Sequence, residues 1–230
     1  MNYFLLEEEL KKRTKLDYFW GRKQDDEFDK QTNFIYKISS FDLLLATIDY
    51  AFKINAQYDD LKNYALNRWF NFWSAKGVES IFCEHENVKP HLDSYNKFTD
   101  FYIQNIPFDH KTTVFPKGFG KSVPYGILHK SELISWLYEN QSQQQRKHHK
   151  NRLFIVLVNY KEEDGHWKLK SEIGWLKEII SAYLINFDQS KLHSFTFENK
   201  TVYADIIWAI KAPQPPKGGQ SDQKMFSEHF

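Results

Sequence analysis

The stretch TDFYIQNIPFDHK, Thr99–Lys111, decides the predicted fold, because it reads as two short strands around a tight turn. With the turn at Gln104-Asn105, Asp100 falls directly opposite Asp109. Lys111 then shares a face with Asp109, since strand side chains alternate. Like charges in opposed positions are destabilising, so the sequence predicts a use for the two carboxylates. The expected use is a divalent metal with an ammonium group beside it.

A second register is open for the same hairpin. If the turn is Asn105-Ile106, Asp100 faces Lys111 as a cross-strand ion pair, and the two aspartates become diagonal neighbours. The metal site would survive with looser geometry. The reverse face of the hairpin is apolar and is predicted to pack on a core, through Phe101, Ile103 and Phe108.

Composition limits the class of protein. The 230 residues are 41% hydrophobic and 17% aromatic, which is ample for a core, and the formal net charge of +1 leaves nucleic-acid binding to local patches. Cys83 is the single cysteine, which suits a reducing compartment. The N-terminus lacks the apolar run of a signal peptide, and no stretch approaches the ~20 apolar residues of a membrane span. These features predict a cytoplasmic protein without a membrane partner.

The pattern along the chain predicts a mixed α/β fold, with a central β-sheet flanked by helices. Apolar residues at helical spacing predict a helix before the hairpin, to about Phe82, and a later helix from near Ser131 to Lys150. Residues 152–158 form a continuous apolar run that suits a strand buried on both faces. Residues 17–33 are polar and predict a loop. Three regions follow: an N-terminal helical extension (1–55), an α/β core (56–212) and a disordered tail (213–230).

An acid-x-Lys triplet by itself means little, because a solvated face explains most of them. The triplet of the hairpin differs from the others by its context: it lies in a predicted strand, with Asp100 across the turn and an apolar reverse face. The chain holds five triplets, which begin at Glu9, Asp60, Asp109, Glu198 and Asp222.

The chemistry of this constellation fits phosphodiester hydrolysis. Asp100 and Asp109 can hold Mg²⁺, with Mn²⁺ as a substitute, because hard cations prefer oxygen ligands. The backbone carbonyl of His110 is placed as a further ligand. Such a metal lowers the pKa of a bound water, and Lys111 can orient or deprotonate that water or neutralise the pentavalent phosphate.

These residues resemble the PD-(D/E)XK nuclease superfamily, whose fold is restriction-endonuclease-like. The segment Phe108–Thr113 looks like its "DxKT" strand. The resemblance covers roughly residues 60–160. It implies that Asp100 and Asp109 bind metal and that Lys111 is catalytic. Thr99 stands where the motif has proline, and the Gln-x-x-x-Tyr element of the RecB-like branch is absent.

Many members of that superfamily add a glutamate from the preceding helix. Glu79 is the best match for this third acid, which would complete the acidic shell around the metal, and Glu84 and Glu86 are the other candidates. The resemblance thus implies catalytic roles for Glu79, Asp100, Asp109 and Lys111.

Basic side chains near the triplet are candidate contacts for DNA phosphates. One group, Arg146, Lys147 and Lys150, lies in the densest basic cluster, although a solvated helix C-terminus explains the cluster equally well. The other, Lys117 and Lys121, lies in the Gly-rich loop after the predicted strand.

The sequence therefore predicts a Mg²⁺-dependent deoxyribonuclease, an endonuclease of restriction or repair type. The sequence does not say whether the chain dimerises, but double-strand cleavage often needs two active sites, and a symmetric homodimer is the common solution. The alternative is a non-catalytic nucleic-acid-binding or interaction protein that has kept the nuclease-like sheet.

Overall fold

The fold is known from a computed structural model, which describes residues 1–19, 26–93, 99–140, 149–162 and 164–212. Within these ranges no helix is long and apolar enough to cross a membrane. The helices are α1 (Tyr3–Arg13), α2 (Asp26–Gln31), α3 (Phe41–Phe52), α4 (Tyr58–Cys83), α5 (Val123–Leu128), α6 (Lys130–Asn140) and α7 (Ile173–Ile185). The strands are β1 (Val88–Pro90), β2 (Phe101–Ile103), β3 (Ile106–Val114), β4 (Arg152–Asn159), β5 (His193–Phe197) and β6 (Lys200–Lys211).

The described strands form one mixed sheet of six strands in the order β1-β2-β3-β4-β6-β5. Strands β1, β2 and β3 form an antiparallel meander. Strand β4 lies between β3 and β6 and is parallel to both, and β5 returns antiparallel to β6. The predicted class, a mixed α/β sheet with flanking helices, is confirmed.

Helices cover both faces of the sheet, because the central strand is apolar on both sides. Along β4, Leu153 and Ile155 pack in one core with residues of α1, α3, α4 and α7. Phe154 and Val156 point the other way and pack in a second core with α6. This explains the continuous apolar run of the sequence, which a strand covered on only one face does not need.

Helix α4 runs unbroken through Gly77 and holds the first core together. A Cβ at Gly77 would lie 2.8 Å from Cδ2 of Leu6 and 3.1 Å from Cδ1 of Ile173. Glycine therefore lets α1 and α7 approach the same side of α4 closely, and this fixes the helical layer against which the hairpin packs.

Two predicted elements differ from the structure. The predicted loop at 17–33 contains α2, since Phe28 is buried and the carbonyl of Asp29 accepts a hydrogen bond from Arg68 at 2.8 Å. Packing against α4 thus accounts for the helical state of α2, although the sequence of this segment is mostly polar. The helix predicted to reach Lys150 ends at Asn140, residues 141–148 lie outside the described residues, and Lys150 itself is not helical.

Candidate functional site

The hairpin adopts the register with the turn at Gln104-Asn105. Both turn residues have positive φ, 49° and 68°, as a two-residue hairpin turn of type I′ requires. Phe101 pairs with Phe108 and Ile103 pairs with Ile106. The alternative register, with the turn at Asn105-Ile106, is thereby excluded, and Asp100 and Asp109 each lie one residue beyond the last pair of this ladder, Phe101 with Phe108.

The two carboxylates nevertheless separate, contrary to the expectation that they share a face. Beyond Phe101 the ladder ends, and the amide of Asp100 donates to the carbonyl oxygen of Phe108 at 2.8 Å. Oδ2 of Asp100 accepts hydrogen bonds from the backbone N–H of His110 at 2.8 Å and from its Nδ1 at 2.7 Å. The side chain of His110 points away from that of Asp109, because neighbours on a strand alternate.

On the His110 face of β3, the imidazole and the carboxylate of Asp100 form an ion pair that is largely shielded from solvent. The imidazole lies near the rings of Phe82 and Phe101, at centroid distances of 6.0 Å and 6.1 Å, and its side chain is only 6% exposed. Burial lowers the pKa of His110, but the hydrogen bond and charge of Asp100 outweigh burial, so the net pKa is raised. Burial likewise raises the pKa of Asp100, but the bonds from His110 leave it lowered. Each group of the pair thus favours the charged form of the other.

The predicted helix acid, Glu79, lies on this same side of the sheet. Its charge contributes to the raised pKa of His110, and its carboxylate pairs with Lys76 at 3.1 Å. Of the other candidates, Glu84 pairs with Lys177 at 2.8 Å, and Glu86 is exposed beyond the end of α4. Glu79 is thus near His110, but the hydrogen bonds that both of its carboxylate oxygens accept come from Lys76.

Cys83 lies near Glu79 and Asp100, since the charges of both act on its thiol. Burial, with the charges of Glu79 and Asp100, raises the pKa of the thiol to about 11. A thiol with such a pKa stays protonated at neutral pH and is a poor nucleophile.

The opposite face of β3 carries Asp109 and two cations. Oδ1 of Asp109 lies 2.6 Å from Nζ of Lys150, and Oδ2 lies 2.5 Å from Nε of Arg152. The three side chains are only 13–16% exposed. Arg152 begins β4 directly beside Asp109 in the parallel ladder, so the sheet itself creates this pair.

Lys111 lies two residues after Asp109 on the same face, as predicted from strand alternation. Burial, together with the charges of Arg152 and Lys150, lowers the pKa of Lys111 to about 8. Asp109 opposes this shift. A lysine in this state releases its proton far more readily than an ordinary surface lysine.

The sequence analysis missed the side chains that hold Arg152 and Lys150 in place on this face, those of Tyr138 and Phe154. The guanidinium of Arg152 lies over the rings of Tyr138 and Phe154, 5.8 Å and 5.7 Å from their centroids. The Tyr138 hydroxyl donates to the carbonyl oxygen of Lys150 at 2.8 Å. The sequence did contain one indication of a role for Arg152, because it is the charged first residue of an otherwise apolar strand.

The donors on the two faces do not fit a Mg²⁺ site as arranged. Among the described residues, no three His, Cys, Asp or Glu side chains come together in a group able to hold a metal ion. Both oxygens of Asp109 contact cations of the chain, and Oδ2 of Asp100 contacts His110. The predicted backbone ligand, the carbonyl of His110, lies in β3, between the face that carries Asp109 and the face that carries the His110 side chain.

The predicted phosphate-binding residues are dispersed. Lys117 is 85% exposed and pairs with Asp164 at 3.3 Å, and Lys121 lies over the ring of Tyr125 at 5.4 Å. Lys150 belongs to the Asp109 face instead of a solvated helix end. Arg146 and Lys147 lie outside the described residues.

Comparison with known proteins assigns no role to any residue of this site. No protein-family model matches this chain, and no curated protein or solved structure matches it either.

Proposed function

We propose that the chain is a nuclease that hydrolyses phosphodiester bonds of DNA, on a restriction-endonuclease-like fold. The observation that carries the proposal is the face of β3 on which Asp109 and Lys111 project together. Lys150 and Arg152 contact Asp109 there, and the pKa of Lys111 is lowered. Perturbed titratable groups in one cluster are a frequent mark of an active site.

The order of elements supports the same proposal. A long helix, α4, precedes the antiparallel meander β1–β3, and two helices then lead to the parallel strand β4. These elements occupy residues 58–159, which is the part of the chain that carries the resemblance to the PD-(D/E)XK superfamily.

The charge of this face suits a phosphodiester. One carboxylate, Asp109, lies with three cationic side chains, so positive charge is in excess. Arg152 contacts Asp109 through Nε, and its terminal nitrogens carry further N–H donors of the kind that bind phosphate oxygens in pairs.

Lys111 supplies the proton chemistry in this proposal. In its neutral form it accepts a proton from a water molecule as the water oxygen bonds to phosphorus and the bond from phosphorus to the leaving oxygen breaks. With a pKa of about 8, a usable fraction of Lys111 is neutral near physiological pH.

The test is cleavage of supercoiled plasmid in Mg²⁺ buffer by the wild type and by Lys111→Ala. General acid–base groups contribute about 10²–10⁴-fold, so the variant should lose at least about 100-fold in nicking rate. Lys62→Ala is the matched control, since Lys62 belongs to another acid-x-Lys triplet but lies on α4. An unchanged rate in Lys111→Ala at equal purity removes the nuclease assignment.

A second candidate function has its own supporting observation. Both oxygens of Asp109 are neutralised by cations of the chain, which suits a protein that binds nucleic acid without cutting it. In that case the wild type binds duplex DNA with strong salt dependence and leaves plasmid supercoiled in both Mg²⁺ and Mn²⁺. Arg152→Ala then weakens binding, whereas Lys62→Ala does not.

A further inference from the structure

The two edges of the sheet differ in how well they are protected against pairing with a further strand. Strand β1 is three residues long, and its two exposed residues are Lys89 and Pro90. Short length, lysine and proline are features by which natural sheets block pairing at an edge. Strand β5, His193–Phe197, is five residues long and contains no charged residue of the Lys, Arg, Asp or Glu type and no proline. The edge at β5 therefore lacks the protection that β1 has.

We propose that the outer edge of β5 pairs antiparallel with β5 of a second copy of this chain, so that two six-stranded sheets join into one continuous sheet. A row of unpaired N–H and C=O groups along an edge strand is a template for such pairing. This interface lies on a different strand from the Asp109 face, and the inference does not depend on the proposed function.

Backbone groups of β5 are available for the pairing. Among the described strands, β5 pairs only with β6. The turn Glu198-Asn199 has positive φ at both residues, 48° and 65°, so Phe197 and Lys200 close a two-residue hairpin and exchange hydrogen bonds. Bonded and non-bonded pairs alternate along an antiparallel ladder, so the N–H and C=O groups of Ser194 and Thr196 point away from β6. Both residues are exposed.

The sequence of β5 suits pairing with itself about Phe195. With Phe195 opposite its copy, Ser194 of one chain lies opposite Thr196 of the other, and the outward N–H and C=O groups of the two residues exchange hydrogen bonds. The two Phe195 rings then meet on the face where Phe195 already packs against the second core. Pairing therefore covers rings that are only half-buried in one chain, and aromatic pairs across strands stabilise a sheet. Such self-complementarity is what a two-fold dimer requires.

Charges at the two ends of β5 favour the antiparallel orientation. Lys191 lies shortly before the strand and Glu198 directly follows it, and both side chains are exposed. Antiparallel pairing brings Lys191 of one copy toward Glu198 of the other, twice in each dimer. Parallel pairing would instead place like charges beside each other, which is destabilising. A second copy thus fits this edge by charge as well as by hydrogen bonding.

The experiment measures mass in solution by sedimentation equilibrium. The wild type should have the mass of two chains at about 100 μM. Thr196→Pro removes an outward N–H that the ladder with β6 does not use, once in each copy, and should raise the dissociation constant of the dimer about tenfold or more. Thr196→Val is the matched control, because it keeps the N–H and a β-branched side chain, and it should remain dimeric.

A charge exchange tests the orientation. Lys191→Glu should weaken the dimer severalfold, and adding Glu198→Lys should restore it, because the pair is then reversed. A single-chain mass for the wild type at about 100 μM overturns the proposal. Equal dissociation constants for Thr196→Pro and the wild type overturn it as well. A dimer that Lys191→Glu weakens and Glu198→Lys does not restore overturns the antiparallel arrangement.

A measurement on the wild type covers the case in which Thr196→Pro fails to fold. Amide hydrogen exchange, read by mass spectrometry, should slow severalfold in the peptide that contains Ser194 and Thr196 as protein concentration is raised through the range in which the dimer forms. The peptide that contains β1, at the opposite edge, should exchange at the same rate throughout. Exchange of the β5 peptide that is independent of protein concentration overturns the proposal.

Discussion

Adjacent residues of β3 support two charge clusters of different character, one on each face of the sheet. Asp109 contacts two cations and lies with Lys111 at a face that retains some exposure. His110 and Asp100 form a single ion pair among aromatic rings, and Nε2 of His110 is buried without a hydrogen-bond partner among the described residues. The difference teaches that one hairpin can divide its charged groups between the two faces of a sheet, with cations in excess on the Asp109 face.

The largest effect is expected from breaking the Asp109 face. Asp109→Ala leaves Lys150 and Arg152 mostly buried without their common anion, which should lower the free energy of unfolding by about 3 kcal/mol. Urea unfolding at pH 7 measures the change. Asp164→Ala removes the anion of the exposed pair with Lys117 and should give no measurable change. A similar small change in Asp109→Ala would show that this face has no coupled ion pairs.

A smaller stability effect, with a distinct pH dependence, is expected on the other face. Because the pKa of His110 is raised by Asp100, and also by Asp109 and Glu79, its stabilisation is present below the usual value of 6.5. The stabilisation is lost as pH rises through the higher pKa of the folded state. The pKa of Asp100 is lowered, so its stabilisation is present above the usual 3.8 and is lost as pH falls.

Unfolding free energies should therefore show a contribution from this pair between about pH 4 and pH 6.5. Asp100→Asn should remove about 2 kcal/mol at pH 5.5 and flatten the decline above pH 6.5. Asp42→Asn, at an exposed pair with Lys12, should keep the wild-type pH profile. A wild-type profile in Asp100→Asn would contradict the ion pair.

Under the proposed function, the Asp109 face should have its own pH dependence. If Lys111 accepts a proton, the cleavage rate rises about tenfold per pH unit below its pKa and levels off above about pH 8. Initial rates of plasmid nicking between pH 6 and 9.5 measure the profile. A rate that falls above pH 8 would mean that Lys111 acts as a cation instead, since it loses its charge there.

The smallest effect is expected at the loop that follows β3. Lys117 is exposed, so Lys117→Ala should leave stability unchanged and weaken DNA binding about threefold or less. The slope of log K against log salt should fall by about one if Lys117 contacts a phosphate. An unchanged slope would show that Lys117 does not contact a phosphate.

Much of the hairpin was predictable because its determinants are local. A tight turn, an apolar face and strict alternation act within thirteen residues, and the buried face of Phe101, Ile103 and Phe108 follows from them. By contrast, α2 was missed, because its helical state depends on packing of Phe28 and Asp29 against α4, which composition alone does not reveal.

The sequence by itself determined the mixed α/β class and the common face of Asp109 and Lys111, but it left two positions open for the turn, and the structure selected Gln104-Asn105. Tertiary structure decided which groups these residues meet. Arg152 reaches Asp109 only because β4 lies parallel to β3, across 43 positions of the chain. Asp100 contacts His110 because the ladder ends at Phe101 and His110 supplies two donors, its backbone N–H and Nδ1 of its buried imidazole. Alternation and turns act over a few residues, whereas the partners of a charge depend on the three-dimensional arrangement of distant strands.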